Sequence, residues 1–476
     1  MNLEERNGSL NQSLLVSEPD IFSRDELLEE TKAMCQLAAP LALLSFLDTL
    51  SLITALMFAG HIGGLPLAAT TVVVAFSSMT NRSILQGMAT VLETLCGQSY
   101  GASKFKKIGD HMQSVIAALL LVNVFLSLIS VCTGTILPLL GQPPEVSSLA
   151  GTYAILLIPG SFGFVIQNCY AKFLQSQKKV APLLASSAVT IIAQLFTCWL
   201  LVIVLELGNN GNIIALSLAE WTHAVYLVAC VKMSPAFNSS RPSFSWDAIH
   251  GIPKIIKLSF HSGLMFCAAF WAVQIITLTA GLLRDPEFQT SALSLSFYAT
   301  VILNTVSSGL SSATSVLVSN KLGAKKPRGA RMTAWVSLVI IGLVSIMVAL
   351  IMLFCRRNWA KMFTDDQALV EYVSEILMFF GLHIIFDGTQ SSLSSTLRGC
   401  GQQKIGAVIG ICAYYIAGIP SALYLAFSLN MAAKGLYIGA IIASFSQSVG
   451  LFVVVLRTDW QNEADRAQTY EDETER

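Results

Sequence analysis

The chain has 476 residues, 54% of them hydrophobic and only 12% charged, and its mean hydropathy is +0.64. Roughly a quarter of an ordinary soluble domain is charged, so water is excluded as the main solvent of this protein. Lysine plus arginine equal aspartate plus glutamate at 29 each, which gives no reason to expect a nucleic acid as partner, and ten cysteines scattered without a CxxC pair indicate neither a disulfide framework nor a metal site.

Residues 1–32 are polar and acidic and lack the basic and apolar regions of a cleaved signal peptide. They are expected to form a disordered cytoplasmic segment, whose sequons at Asn7 and Asn11 stay unmodified on that side. A spanning helix needs about 20 mostly apolar residues, because the hydrocarbon core is about 30 Å thick and each residue rises about 1.5 Å. About twelve such runs follow in order, at 36–60, 67–95, 111–138, 148–171, 180–206, 212–232, 254–283, 291–317, 332–355, 371–396, 405–428 and 435–457. The predicted fold is an all-α polytopic membrane protein. The tail, residues 458–476, is acidic and reads as a disordered cytoplasmic end.

Basic residues fix the orientation. Lys104, Lys106 and Lys107 follow the second run, Lys172, Lys178 and Lys179 the fourth, and Lys232, Arg241, Lys254 and Lys257 the sixth. Lys321, Lys325, Lys326, Arg328 and Arg331 follow the eighth, and Arg398 and Lys404 the tenth. The alternate loops are short and carry little positive charge, apart from a mixed loop after the ninth run, so the basic loops and both termini are predicted to be cytoplasmic.

An internal repeat organises the runs. An offset of 222 pairs Gly101 with Gly323, Gly87 with Gly309, Gln98 with Asn320 and Lys104 with Lys326, and an offset of 224 pairs Gly211 with Gly435. Two six-helix lobes follow, 33–233 and 254–457, joined by a polar cytoplasmic linker at 234–253. An even number of spans per lobe gives both the same orientation, with a pseudo-two-fold axis along the membrane normal. Such repeats mark secondary transporters with a substrate site between the halves near the midplane.

The stretches "MFAGHIGGLPLAAT", "GMATVLETLCGQSYGA", "GLSSATSVLVSNKLGAKKPRGAR", "DGTQSSLSSTLRGCGQQKIGA" and "YYIAGIP" resemble the multidrug and toxin extrusion (MATE) transporters, specifically the plant-type branch. The resemblance covers residues 33–457. It implies a two-lobed, V-shaped bundle that alternates access and exports organic compounds from the cytoplasm, or into the vacuole, in exchange for H+ or Na+. One motif departs from the family pattern: the seventh span usually carries two acids, and this chain has Ala269 and Gln274 in "CAAFWAVQ". An alternative is therefore an uncoupled facilitator or flippase-like member.

Ionisable residues inside spans are expensive and by default mark function. Asp48, Arg82, Glu220 and His223 in the first half fall near mid-depth, as do His383 and Asp387 in the second. Asp387 matches the family's acid in the tenth span and is the first candidate for proton coupling, with a structural anchor as its other reading. His383 lies four residues earlier, on the same helical face. Glu220 and His223 form either a second proton site or the neutralising partner of Arg82, and Asp48 is a further candidate for both roles. Arg82 itself is either ion-paired internally or binds an anionic or conjugated substrate, because a guanidinium matches a carboxylate bidentately.

Gln274, Trp271, Asn304 and Tyr298 are candidate cavity-lining residues. Pro40, which removes a helical hydrogen bond in the first span, and Glu93, in the family motif near the cytoplasmic end, are candidate gating residues. No catalytic constellation is found, so an enzyme is not expected. H+ is the expected coupling ion, with Na+ open. The expected partners are a small organic substrate and membrane lipids, the expected state is a monomer, and the expected location is the plasma membrane or the vacuolar membrane.

Overall fold

The computed structural model describes residues 22–241 and 252–473, nearly all of them helical. The first half forms α1 (Arg24–Ile62), α2 (Gly64–Ser77), α3 (Ser83–Ala89), α4 (Val91–Gly101), α5 (Phe105–Val131), α6 (Pro144–Ser176), α7 (Ala181–Cys198) and α8 (Gly208–Met233). The second half forms α9 (Ile252–Thr279), α10 (Pro286–Gly323), α11 (Pro327–Lys361), α12 (Gln367–Ile376), α13 (Phe380–Cys400), α14 (Gln403–Ile411), α15 (Ala432–Arg457) and α16 (Trp460–Glu473).

Among the described residues nine helices are long and apolar enough to cross a bilayer, and two bent pairs raise the number to eleven. The second expected span is a broken path. It runs through α2, a π-turn at Ser78–Arg82, α3, a kink at Thr90 and α4. Thr90 contributes to the kink by donating its hydroxyl to the Gly87 carbonyl at 2.7 Å. Further π-turns lie at Trp199–Val204, Cys412–Gly418 and Tyr424–Ser428. α1, by contrast, runs through Pro40 without interruption.

Two expectations of disorder are corrected. α1 starts at Arg24, not near residue 33, because Ser23 forms a capping box. Its hydroxyl accepts from the Glu26 amide at 3.2 Å, and its own amide donates to the Glu26 carboxylate at 2.9 Å, a motif that stabilises a helix start by about 1 kcal/mol. Glu30 is then buried in an ion pair with Lys321 and accepts from Thr333 at 2.6 Å. The C-terminal tail likewise forms α16, which Asp459 caps by accepting from the amides of Gln461 and Asn462 at 3.1 and 3.2 Å. Trp460, Ala464 and Ala467 share one face and pack on Val318, Leu322, Ala330 and Cys400. Acidity alone misled the sequence reading at both ends. Asn7, Asn11 and linker residues 242–251 lie outside the described residues.

Three apolar cores explain how the halves meet. One belongs to the first half, around Val73, Leu137, Tyr153 and Ile213. A second belongs to the second half, around Leu293, Ile376, Phe380 and Tyr437. The largest is shared: it joins Leu37, Leu92, Met112 and Phe173 to Leu310, Val316 and Ile341. This shared core lies toward the end of the bundle where the basic loops gather, here termed the basic end. Contacts across the halves continue to mid-depth, as in the 2.8 Å Ser45–Ser308 hydrogen bond, and farther away each half has its own core and ties. α2 packs on α6 and α1, and the far part of α1 is tied to its own half by the Ser51–Gln194 hydrogen bond and by Asn212 donating to the Ala55 carbonyl at 2.8 Å. The halves therefore diverge from a closed basic end.

Candidate functional site

At the basic end the two repeat motifs meet each other. The ends of α4 and α10 approach so closely that a Cβ on Gly101 would strike the Asn320 carbonyl, one on Gly323 the Gln98 carbonyl, and one on Gly97 the Ser319 side chain. Glycine is required there by contact across the interface between the halves, not by turning alone. Ser319 donates to the Glu93 carbonyl at 2.9 Å, Thr94 to the Arg398 carbonyl at 2.5 Å, and Gln403 to the Thr94 hydroxyl at 2.8 Å.

Glu93 sits within this closure with 1% of its side chain exposed. Its carboxylate takes a 2.6 Å ion pair from Lys172 on its own half and lies 3.7 Å from the Arg398 guanidinium on the other. The sequence reading assigned Lys172 and Arg398 to loops that set orientation, and it missed their role as the partners of Glu93. A buried carboxylate in so apolar a segment was the available signal, since such a group demands a cation.

Above the closure, away from the basic end, a cavity of about 440 Å³ is enclosed by α1, the broken second span, α6, α7, α8 and the flank of α10. The first-half charges all line it. Asp48 is exposed to the cavity from α1, and its Oδ1 accepts from the Ser187 hydroxyl at 3.2 Å. Arg82 ends the π-turn, and its Nη1 lies 2.6 Å from Glu220 Oε1 while its guanidinium covers the Phe164 ring at 4.0 Å. Gln167 donates to the other Glu220 oxygen at 3.4 Å. His223, one turn beyond Glu220, is buried and shares a 2.9 Å hydrogen bond with the Ser186 hydroxyl. Of the alternatives left open, Arg82 is internally paired, and its partner is Glu220 instead of Asp48. The π-turn that delivers Arg82 carried no sequence signal, although such turns often occur at functional sites.

The second-half candidates lie elsewhere. Asp387 is half-buried on α13, where its Oδ1 accepts from Gln390 at 3.2 Å. His383 is fully packed, bonded to the Tyr437 hydroxyl at 3.1 Å and edge-on to Phe297. Neither belongs to the cavity lining. Trp271 is a correction: its ring N–H donates to the Met79 carbonyl at 3.0 Å, so it bridges the halves instead of lining the cavity. Gln274 is half-buried and also outside the lining. Tyr298 and Asn304 are exposed and outside the lining, on the α10 face that presents Val301 and Ser308 to the cavity. Pro40 lies half-buried in α1 near the Ala38 and Ala42 contact with Gly309.

Comparison with known proteins follows the same division. The MatE family model matches residues 40–200 and again 262–424, and the second match starts 222 residues after the first, the offset that pairs Gly101 with Gly323. Protein DETOXIFICATION 16 of Arabidopsis thaliana is 36% identical over 452 residues, covering 95% of this chain and 93% of that protein. Protein DETOXIFICATION 17 of the same plant is 35% identical over 454 residues, covering 95% of each. The crystal structure of the eukaryotic MATE transporter AtDTX14 superposes with a TM-score of 0.90 at 34% identity, covering 94% of this chain and 99% of that one. An outward-facing multidrug resistance MATE family transporter shares the fold at a TM-score of 0.75 and 16% identity, over 92% and 96% of the two chains. The chain therefore belongs to the MatE family and is a multi-pass membrane transporter, not an enzyme.

Proposed function

We propose that the protein exports organic solutes from the cytoplasm in exchange for protons by alternating access, in the plasma membrane or the vacuolar membrane. The carrying observation is a charged cavity that is shut at the basic end and lies where the halves diverge. By the positive-inside rule the basic end, and with it both termini, is cytoplasmic, and in this reading the conformation is the one closed to the cytoplasm. Each chain contains the whole cleft, and a monomer suffices.

In this reading the Glu93 closure is the cytoplasmic gate and Asp387 is the principal proton carrier. Asp48, Glu220 and His223 are the ionisable groups of the cavity, whose protonation state follows the solute. Pro40 weakens α1 beside the interface, where bending is least costly. H+ is the coupling ion in this reading: Asp387 Oδ1 accepts from the Gln390 amide nitrogen at 3.2 Å, whereas a Na+ site wants several oxygen ligands around its carboxylate. Gradient-driven uptake into proteoliposomes is expected to be lost in Asp387→Asn, with the variant still folded in the membrane. Normal uptake by that variant would remove Asp387 from the mechanism.

A second reading, uncoupled transport, is favoured by one observation. Ala269, where the family usually has an acid, packs into an apolar cluster with Ala272, Ala413, Tyr414 and Ala443. Uptake indifferent to an imposed pH gradient selects it.

A further inference from the structure

α6 and α13, which end the fourth span of each half, stop in the same way at the basic end. Lys178 and Gly401 take positive φ angles of 58° and 79°. Around them the amides of Lys178 and Lys179 donate to the carbonyls of Gln175 and Leu174, and those of Gly401 and Gln402 to the carbonyls of Arg398 and Leu397, at 2.9 to 3.0 Å. A helix end of this kind satisfies two carbonyls of the last turn and leaves the next one without a backbone donor. By position the carbonyls left over are those of Ser176 and Gly399.

Each is met from the opposite half. Asn320, near the end of α10, donates Nδ2 to the Ser176 carbonyl at 3.2 Å, and Gln98, near the end of α4, donates Nε2 to the Gly399 carbonyl at 3.4 Å. Gln98 and Asn320 are the residues that the internal repeat pairs, so the two contacts are related by the pseudo-two-fold axis. Both side chains are buried. The glycine contacts seat them: Gly101 lies against the Asn320 carbonyl and Gly323 against the Gln98 carbonyl, which brings each donor up to the other half. A carbonyl at a helix C-terminus carries partial negative charge, so an amide donor suits it and a carboxylate does not.

We propose that Gln98 and Asn320 form a matched pair of latches, positioning residues that hold this end shut and release together when it opens. Both contacts cross between the halves, so parting the halves here breaks both at once, whereas a cap within one half would survive the motion. The pair is neutral, and it acts on both sides of the axis beside the charged contact at Glu93. The inference rests on the proposed reading of the basic end as the cytoplasmic gate.

Hydrogen–deuterium exchange of the full-length protein in detergent tests it with near-isosteric variants. Asn320→Asp turns the donor into an acceptor that faces the Ser176 carbonyl. Exchange is expected to rise about 2- to 10-fold in residues 174–180, the end that Asn320 contacts, and to a similar extent in residues 397–403, the end held by Gln98. Gln98→Glu should give the mirror result, and Asn320→Gln, which keeps the amide, should stay within about twofold of wild type. Loosening confined to the directly contacted end, unchanged exchange in both acidic variants, or Asn320→Gln as loose as Asn320→Asp overturns the proposal. Exchange needs neither solute nor gradient. Unchanged exchange alongside gradient-driven uptake by the wild type rejects the latches alone, whereas the expected exchange pattern without uptake of any solute supports the latches and rejects the transport reading.

Discussion

Replacing Glu93 by Gln keeps the size of the side chain and removes the charge that two cations share. Lys172 belongs to the same half as Glu93, and a rigid-body motion of the halves would carry the two together. Arg398 belongs to the other half and meets the carboxylate only when the basic end is shut. At the observed 3.7 Å, two unit charges attract by about 4 kcal/mol at an effective dielectric constant near 20. Desolvation offsets much of this, leaving about 1–3 kcal/mol that favours closure, or roughly a 5- to 150-fold shift in the equilibrium between conformations. Glu93→Gln is therefore expected to open the basic end. Hydrogen–deuterium exchange reads this directly, as faster exchange in residues 92–101 and 316–324 while peptides from α5 stay unchanged. Equal exchange in both proteins would refute the assignment of this ion pair as a gate.

Other perturbations test separate parts of the account. Gly323→Ala puts a methyl group against the Gln98 backbone, which cannot yield as a side chain would. It should lower uptake more than tenfold at equal membrane yield, and normal uptake would mean that the helix ends need not touch. Removing residues 460–476 uncovers Cys400, which is 8% exposed and packed with α16. A maleimide should then label it several-fold faster, and an unchanged rate would show that α16 does not shield it. Glu220→Gln releases Arg82 from its 2.6 Å ion pair and should shift uptake toward organic anions; an unaltered preference would argue that the Arg82–Glu220 pair plays no part in charge selection.

The spans were legible because bilayer thickness imposes a length on each apolar run, and most helices extend the expected ranges by only a few residues. The repeat was legible through Gly101 and Gly323, although their reason for being glycine became clear only when the two stretches met. Asp48, Arg82, Glu220 and His223 were identifiable as costly intramembrane groups. Their pairing was not, because which spans are neighbours is a tertiary fact that linear spacing does not encode. Lys172 and Arg398 were misread for the same reason: each follows an apolar run as a topogenic cation would, yet both turn inward onto Glu93. Trp271 had the composition of a cavity wall and proved to be a bridge between halves. At the two ends of the chain, acidic composition concealed a capping box at Ser23 and the small apolar face of Ala464 and Ala467.

The central claim is that solute and proton move in opposite directions through the cleft between the halves. Uptake of one organic cation and one organic anion into proteoliposomes, with the lumen acid and then with no gradient, tests it most directly. The account predicts accumulation only in acid-lumen vesicles, abolished when the gradient is collapsed by a protonophore. Equal uptake with and without the gradient would contradict it, and would mean that the chain has kept the transporter scaffold without the coupling.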